Sequence, residues 1–173
     1  TFLATWTGPG GPATHTCGSL TENFVVYQPS ITTRLNDSYL AVDTAISDIA
    51  TLSNVPGSIT GTITFDMYGP FTAQTDINSG VCTAQNLVLS QDFSATGSGD
   101  HTSPVFNVTN PGYYTFVATW NGNDGSSATH ACGQNVETFY AFRALVNTTA
   151  SSKEVNVGDR LHDDIQLSGV PDG

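Results

Sequence analysis

The sequence predicts an all-β fold, an Ig-like Greek-key β-sandwich. Apolar residues occur in short alternating runs rich in Thr, Val, Ile and aromatic residues, and no stretch keeps a helical spacing. Turn-forming residues separate these runs. Seven or eight short strands within about 115 residues are typical of such a sandwich. With 38% hydrophobic residues, the composition is that of a globular chain rather than a disordered one.

Each expected strand is bounded by a turn signal rich in Gly, Pro, Asn or Asp. The expected strands are 30–35, 39–43, 47–53, 59–68, 86–93, 103–108, 112–121 and 136–146. The start of strand 112–121, Pro-Gly-Tyr-Tyr, is consistent with a tyrosine corner. Alternation along this strand places Phe116, Ala118 and Trp120 on one face, so we expect Trp120 to be a core residue rather than a platform for a ligand.

The chain also contains an internal repeat. Residues 1–6, TFLATW, match residues 115–120, TFVATW, at five of six positions, an offset of 114. One extra residue in the loop 121–127 moves the offset to 115, which then pairs 14–18 with 129–133 and continues to 55–56 and 170–171. We therefore expect tandem repeat modules of about 115 residues: 1–28 ends one copy, 29–143 is a complete copy and 144–173 begins the next.

The partial copies have two interpretations. They could complete each other between molecules, but together they supply no equivalent of positions 59–114, which is half of the sandwich. We therefore prefer a window on a longer tandem array. In that interpretation the partners are neighbouring repeats of the same array, with lateral self-association into filaments as a further possibility.

Charge excludes several classes of function. Fifteen acidic residues against four basic ones give a formal net charge of -11, which would repel a phosphate backbone, so we expect no nucleic-acid partner. No basic cluster or long apolar run is present, so we expect no membrane insertion. We expect no cofactor and no metal, because the acidic turns at 123–125 and 163–164 lack EF-hand spacing and are typical of solvated turns.

The three cysteines predict one disulfide per module. In a lysine-poor β-module of secreted type, Cys82 and Cys132 are expected to pair, the alternative being two buried thiols. Cys17 is the repeat equivalent of Cys132, and the equivalent of Cys82 would precede residue 1. We therefore expect Cys17 to be half of a disulfide with an upstream stretch rather than a reactive thiol.

A second set of residues recurs with the repeat. Thr33, Asp48, His130 and Glu137 have equivalents 115 residues away, which are Thr148, Asp163, His15 and Glu22. The first and last strands of an Ig-type sandwich can run side by side, which would bring a hydroxyl, an imidazole and two carboxyl groups together. These groups resemble the parts of a catalytic triad, but nothing in the sequence indicates an open cleft, so we do not expect an enzyme.

Four motifs resemble the Ig-like repeats of actinobacterial cell-wall-anchored surface proteins. They lie at 48–53, 61–70, 111–120 and 132–137. The module is similar, more distantly, to the ester-bond domains of Gram-positive adhesins, in which a first-strand threonine is joined autocatalytically to a last-strand glutamine, assisted by histidine and acidic residues. The matching residues are Thr33, Asp48, His130 and Glu137, but the acyl donor here is Glu rather than Gln, so the reaction would release water.

Two roles are open for these four residues. If an ester forms, the resemblance implies that His130 is the general base for Thr33, while Asp48 orients the imidazole or keeps the Glu137 carboxyl protonated. Alternatively, the residues form a buried hydrogen-bonded network in which Glu137 pairs with His130.

The sequence thus predicts a non-enzymatic structural module of a stalk or fibre in a secreted bacterial cell-surface protein. The alternative is a ligand- or carbohydrate-binding adhesin module, which would show exposed aromatic residues on loop tips or on one sheet face. Several aromatic residues are expected at strand positions instead, namely Tyr114, Phe116, Trp120, Phe139 and Phe142.

Overall fold

A computed structural model describes residues 2–18 and 24–171 of the chain. Within these two ranges the regular structure is β-strand, with short 3-10 turns at Gln74–Asp76 and Asn135–Glu137 and no α-helix. The predicted all-β fold class is confirmed.

The strands are numbered along the chain. They are β1 Thr5–Trp6, β2 Ala13–Thr14, β3 Ser30–Leu35, β4 Tyr39–Ala41, β5 Thr44–Ile46, β6 Asp48–Ser53, β7 Thr60–Phe71, β8 Leu87–Thr96, β9 Gly99–Thr102, β10 Phe106–Val108, β11 Gly112–Gly122, β12 Ser127–Thr129, β13 Thr138–Phe142, β14 Leu145–Ala150 and β15 Asp163–Ser168.

Strands β3 to β13 form a sandwich of two main sheets. The smaller sheet has the order β3-β6-β9, and the larger has the order β4-β13-β11-β7-β8, with β12 also paired to β11. The chain changes sheets between β3 and β4, and β4 pairs in parallel with β13. The last strand of the sandwich, β13, is thus the neighbour of β4, whereas the first strand, β3, lies in the other sheet and contacts β12 and the 3-10 turn that precedes β13.

The core lies between the two sheets. Alternate residues of β6 and β7 point inward, and the inner face of β11 is fully buried at Phe116, Ala118 and Trp120. The prediction that Trp120 is a core residue is confirmed. The Tyr114 hydroxyl donates to the Asn110 carbonyl, 2.8 Å away and four residues upstream, which is the bond of a tyrosine corner.

Two predicted strands were wrong. Only Phe106–Val108 of the expected strand 103–108 forms a strand, which pairs with β5, because Pro104 has no N–H to donate to a ladder. The strand that pairs with β6 is Gly99–Thr102, which lies between the expected strands 86–93 and 103–108. The expected strand 136–146 is also wrong, because a 3-10 turn occupies 135–137 and β13 ends at Phe142.

The two outer segments form hairpins whose pairing repeats that of the sandwich. In β14–β15, Thr148 pairs with Ile165, and in β3–β6 their equivalents Thr33 and Ala50 pair. In β1–β2, Trp6 pairs with Ala13. Their equivalents in the sandwich, Trp120 at the offset of 114 and Ala128 at the offset of 115, pair in β11–β12. The sequence repeat is thus accompanied by a repeat of strand register.

Candidate cross-linking site

The smaller sheet places Thr33 and Asp48 on its inner face. Thr33 pairs with Ala50, and Asp48 lies two residues before Ala50 on β6, so the two side chains are diagonal neighbours on one face. Both are buried, Thr33 at 6% exposure and Asp48 at 0%. A polar pair at inward positions of otherwise apolar strands indicates a specific role rather than packing.

The hairpin β11–β12 places His130 opposite Thr33. The His130 backbone N–H donates to the Ala118 carbonyl at 2.9 Å, which extends the ladder by one pair beyond Thr119 and Thr129. His130 therefore shares the inward face of Ala118. Its Nδ1 lies 2.7 Å from Thr33 Oγ1, a hydrogen bond between residues of the two sheets.

An interruption of the last strand brings Glu137 to the same place. Thr119 pairs with Thr129 and Thr115 pairs with Thr138, so the residues 116–118 of β11 lie opposite the longer segment 130–137. The extra residues form an excursion that ends in the 3-10 turn at Glu137. Glu137 is 0% exposed, and this turn contacts β3 directly.

No oxygen of the Asp48 or Glu137 carboxyl group has a hydrogen-bond partner. Burial, together with the neighbouring Asp48 charge, raises the pKa of Glu137 to about 9, and burial raises the pKa of Asp48 to about 7. Two carboxylates in one dry space cannot both ionise cheaply. Glu137 is therefore the group that keeps its proton at neutral pH.

His130 completes the electrostatics of the site. Burial lowers the pKa of this imidazole from its ordinary value, so the ring is neutral at neutral pH. A neutral imidazole accepts a hydrogen bond at one nitrogen, and the tautomer protonated at Nε2 accepts from Thr33 at Nδ1. The arrangement therefore combines a base on the Thr33 hydroxyl with a protonated acid beside it.

The predicted disulfide between Cys82 and Cys132 is confirmed, with a Cα–Cα distance of 6.0 Å. Cys132 lies in the 130–137 excursion, which the disulfide ties to the connection between β7 and β8. Gly133 follows with a φ of 77°, and a Cβ there would lie 2.6 Å from the Asn78 backbone. Only glycine permits this close approach, so the Cys-Gly pair holds the segment that carries both His130 and Glu137.

The repeat equivalents do not form a second complete site within the described residues. His15 and Cys17 are exposed on the segment after β2, and Thr148 and Asp163 are exposed on β14 and β15. Cys17 is a free thiol there. Glu22 lies outside the described residues.

Thr33, Asp48 and Glu137 are buried, and His130 is half-buried at the edge of the site. A surface cleft of about 320 Å³ runs beside the site between residues 34–38 and 135–138, but its lining includes none of the four site residues.

In the described part of the chain, no helix is long and apolar enough to cross a membrane.

No protein-family model matches the sequence, and no curated protein matches it. Among solved structures, the chain is similar to the CARDB domain of a Pyrococcus furiosus protein in complex with di-metal ions, at 13% identity and a TM-score of 0.34; the match covers 67% of this chain and 92% of that one. It is also similar to BslA, a bacterial hydrophobin, at 17% identity and a TM-score of 0.28, covering 60% of this chain and 91% of that one.

The fold class accordingly rests on the strand pairing described above. The resemblance to bacterial surface repeats and to ester-bond domains stays a prediction.

Proposed function

We propose that the chain is a structural module of an extracellular bacterial surface protein, and that an ester between Thr33 and Glu137 joins its first and last strands. One observation carries the proposal: a buried, protonated carboxyl group without hydrogen-bond partners lies beside a threonine hydroxyl that is already bonded to a neutral histidine. An unpaired buried polar group costs about 1–3 kcal/mol. Conversion of the acid to an ester removes a buried hydroxyl donor, because an ester has no O–H group.

The reaction is a single condensation. Thr33 Oγ1 attacks Cδ of the protonated Glu137 carboxyl group while the Thr33 proton passes to His130 Nδ1. The tetrahedral centre then expels the Glu137 hydroxyl, which takes the proton back from His130 and leaves as water. One C–O bond forms and one breaks, with no net change of charge and no oxidant or reductant.

Asp48 and burial make this direction of the reaction favourable. The negative charge of Asp48 disfavours ionisation of Glu137, and a carboxylate would not accept the nucleophile. Exclusion of water from the site opposes hydrolysis of the product. His130 acts once per molecule, so the chain does not turn over as an enzyme.

The cross-link would serve stability under load. A bond between residues 33 and 137 closes nearly the whole sandwich, which is worth roughly 4 to 5 kcal/mol in the chain-entropy treatment. Force applied along the chain would then pass between the terminal strands through a covalent bond. A disulfide persists mainly in oxidising compartments, which supports an extracellular location.

We also propose that the module belongs to a tandem array of such repeats, and the registers of the two outer hairpins support this. Both outer hairpins reproduce the pairing of the corresponding sandwich strands. Neighbouring repeats of one array are thus the proposed partners, and lateral association into filaments stays a prediction.

Intact mass spectrometry tests the ester. The native chain should weigh about 18 Da less than its disulfide-corrected sequence mass, because one water is lost. Digestion should yield one peptide pair joining the segments that contain Thr33 and Glu137. Thr33→Val keeps the side-chain shape but removes the nucleophile, so its mass should be unshifted, whereas Thr33→Ser should still lose water.

Glu137→Gln provides a matched control on the leaving group. This variant should lose ammonia instead of water and reach the same final mass as the cross-linked native chain. A native chain and a folded Glu137→Gln variant that both keep their full masses would refute the ester and leave the disulfide as the only cross-link in the module.

A further inference from the structure

A row of four aromatic side chains crosses the outer face of the larger sheet. Tyr39 pairs with Tyr140, Tyr140 with Tyr113, and Tyr113 with Phe71, so one residue comes from each of β4, β13, β11 and β7. Directly paired residues of neighbouring strands share a face. Phe139, next to Tyr140, is buried in the core, which places the row on the opposite side of the sheet.

The aromatic row is accessible. Tyr39 is 58% exposed, and the other three rings are half-buried. Two clefts follow the row: one of about 390 Å³ bordered by Phe71 and Tyr140, and one of about 90 Å³ bordered by Tyr39, Tyr113 and Tyr140. Three strand spacings give the row a length of about 14 Å, suited to a short chain ligand rather than to a single small ring.

The lining of the clefts is uncharged. The chain has a net charge of -11, yet no acidic or basic side chain lines either cleft. The polar side chains of the lining are hydroxyls and one amide, from the tyrosines, Ser38, Thr72, Thr138 and Gln74. Hydroxyls and amides both donate and accept hydrogen bonds, so they fit a ligand that does the same.

We propose that the aromatic row Tyr39–Tyr140–Tyr113–Phe71 binds a neutral oligosaccharide. A sugar ring presents an apolar C–H face to an aromatic ring and hydroxyl groups at its edge, and the row offers both kinds of partner. An anionic glycan would be repelled by the acidic protein, and no basic side chain lines the two clefts to hold it.

A proline-rich peptide fits less well. Such ligands insert proline rings between aromatic side chains. The Tyr113 and Tyr140 rings are 4.7 Å apart and contact each other, which closes the slot between them. Proline also lacks an N–H, so it would leave the acceptor capacity of the hydroxyl groups unused.

Binding to an array of neutral oligosaccharides tests the proposal, followed by calorimetric titration of the strongest ligand with the native chain. We expect Tyr140→Ala and Tyr39→Ala each to weaken binding at least tenfold. Tyr39 is mostly exposed, so its variant should fold normally even if Tyr140→Ala does not. Tyr27→Ala, which removes a tyrosine outside the row, is the matched control and should bind as the native chain does.

Three outcomes would overturn the proposal: no neutral glycan on the array binds, the bound glycan is unaffected by both row variants, or a polyproline peptide binds the row while the glycans do not. None of these outcomes depends on the ester, which is tested separately by mass.

Discussion

Glu137 and Asp48 share one buried space, and their proton content follows from that burial. Burial raises the pKa of both side chains, and the charge of Asp48 raises the pKa of Glu137 further. His130 lies on the other side of the Thr33 hydroxyl as a neutral base. Each residue therefore has the protonation state that a condensation requires, and the two reacting side chains, Thr33 and Glu137, are both buried.

Without the ester, the module should become less stable as the pH rises. We expect the free energy of unfolding of Thr33→Val to be greatest near pH 4 and to fall progressively toward pH 9. The folded carboxyl groups hold their protons up to a pKa of about 7 for Asp48 and about 9 for Glu137, whereas the unfolded chain releases them above about pH 4. Unfolding thus releases protons across this range and is favoured by higher pH.

Urea unfolding at a series of pH values measures this slope. The double variant Thr33→Val/Glu137→Gln carries no ionisable group at 137 and should lose much of the decline above pH 7. A decline of the same size in both variants would show that Glu137 is not the group responsible. The esterified native chain also has no ionisable group at position 137, so the pH dependence of its free energy of unfolding should resemble that of the double variant.

The element that organises the site is the interrupted last strand. β12 and β13 both pair with β11, and the excursion between them carries His130, Cys132 and Glu137. The disulfide and Gly133 fix the excursion against the connection that follows β7. The disulfide thereby supports the same segment that the ester would join to β3.

Close pairing of β7 with β11 depends on a second glycine. Gly61 pairs with Gly122, and a Cβ on Gly61 would overlap the Asn121 carbonyl oxygen and approach the Trp120 ring at 2.6 Å. We expect Gly61→Ala to lower the free energy of unfolding by about 1–3 kcal/mol, because the backbone must shift to admit the methyl group.

Gly57→Ala is the matched control for this substitution. A Cβ on Gly57 meets nothing within 4 Å, and the residue has no positive φ. The free energy of unfolding of Gly57→Ala should stay within about 0.5 kcal/mol of that of the native chain, or rise slightly because alanine lowers the entropy of the unfolded chain. Urea unfolding of both variants makes the comparison, and equal stabilities would contradict the assigned packing of Gly61.

At the scale of the whole molecule, identical motifs occupy different environments. Trp6 and Trp120 stand at the same position of the repeat, but Trp6 is 61% exposed and Trp120 is 0% exposed. Ile165 on β15 is likewise 73% exposed, while its equivalent Ala50 is buried. The hairpins have the register of the sandwich but lack its second sheet among the described residues.

This difference predicts opposite results for one substitution at two positions. Trp120→Ala should destabilise the chain by about 3–5 kcal/mol, because it removes the largest buried side chain of the core. Trp6→Ala should change stability by no more than about 0.5 kcal/mol. Chemical unfolding followed by circular dichroism gives both values, and an equal loss in Trp6→Ala would mean that the β1–β2 hairpin is packed in solution.

The sequence by itself predicted the all-β fold class, all but two of the expected strands, the faces of the side chains on β11 and the candidate residues of the site. Alternation placed Phe116, Ala118 and Trp120 inward, because a period of two reports sidedness within a strand directly. The repeat singled out Thr33, Asp48, His130 and Glu137 and indicated which cysteines pair.

Only the tertiary structure decided which strands are neighbours and in what register. The aromatic row exists because Tyr39, Tyr140, Tyr113 and Phe71 are paired across four strands, and residues far apart in sequence carry no local sign of that pairing. The interruption at 130–137 and the burial of Glu137 likewise depend on contacts with β3 and on the disulfide. A strand pattern fixes the direction of a side chain, but long-range packing fixes what that side chain meets.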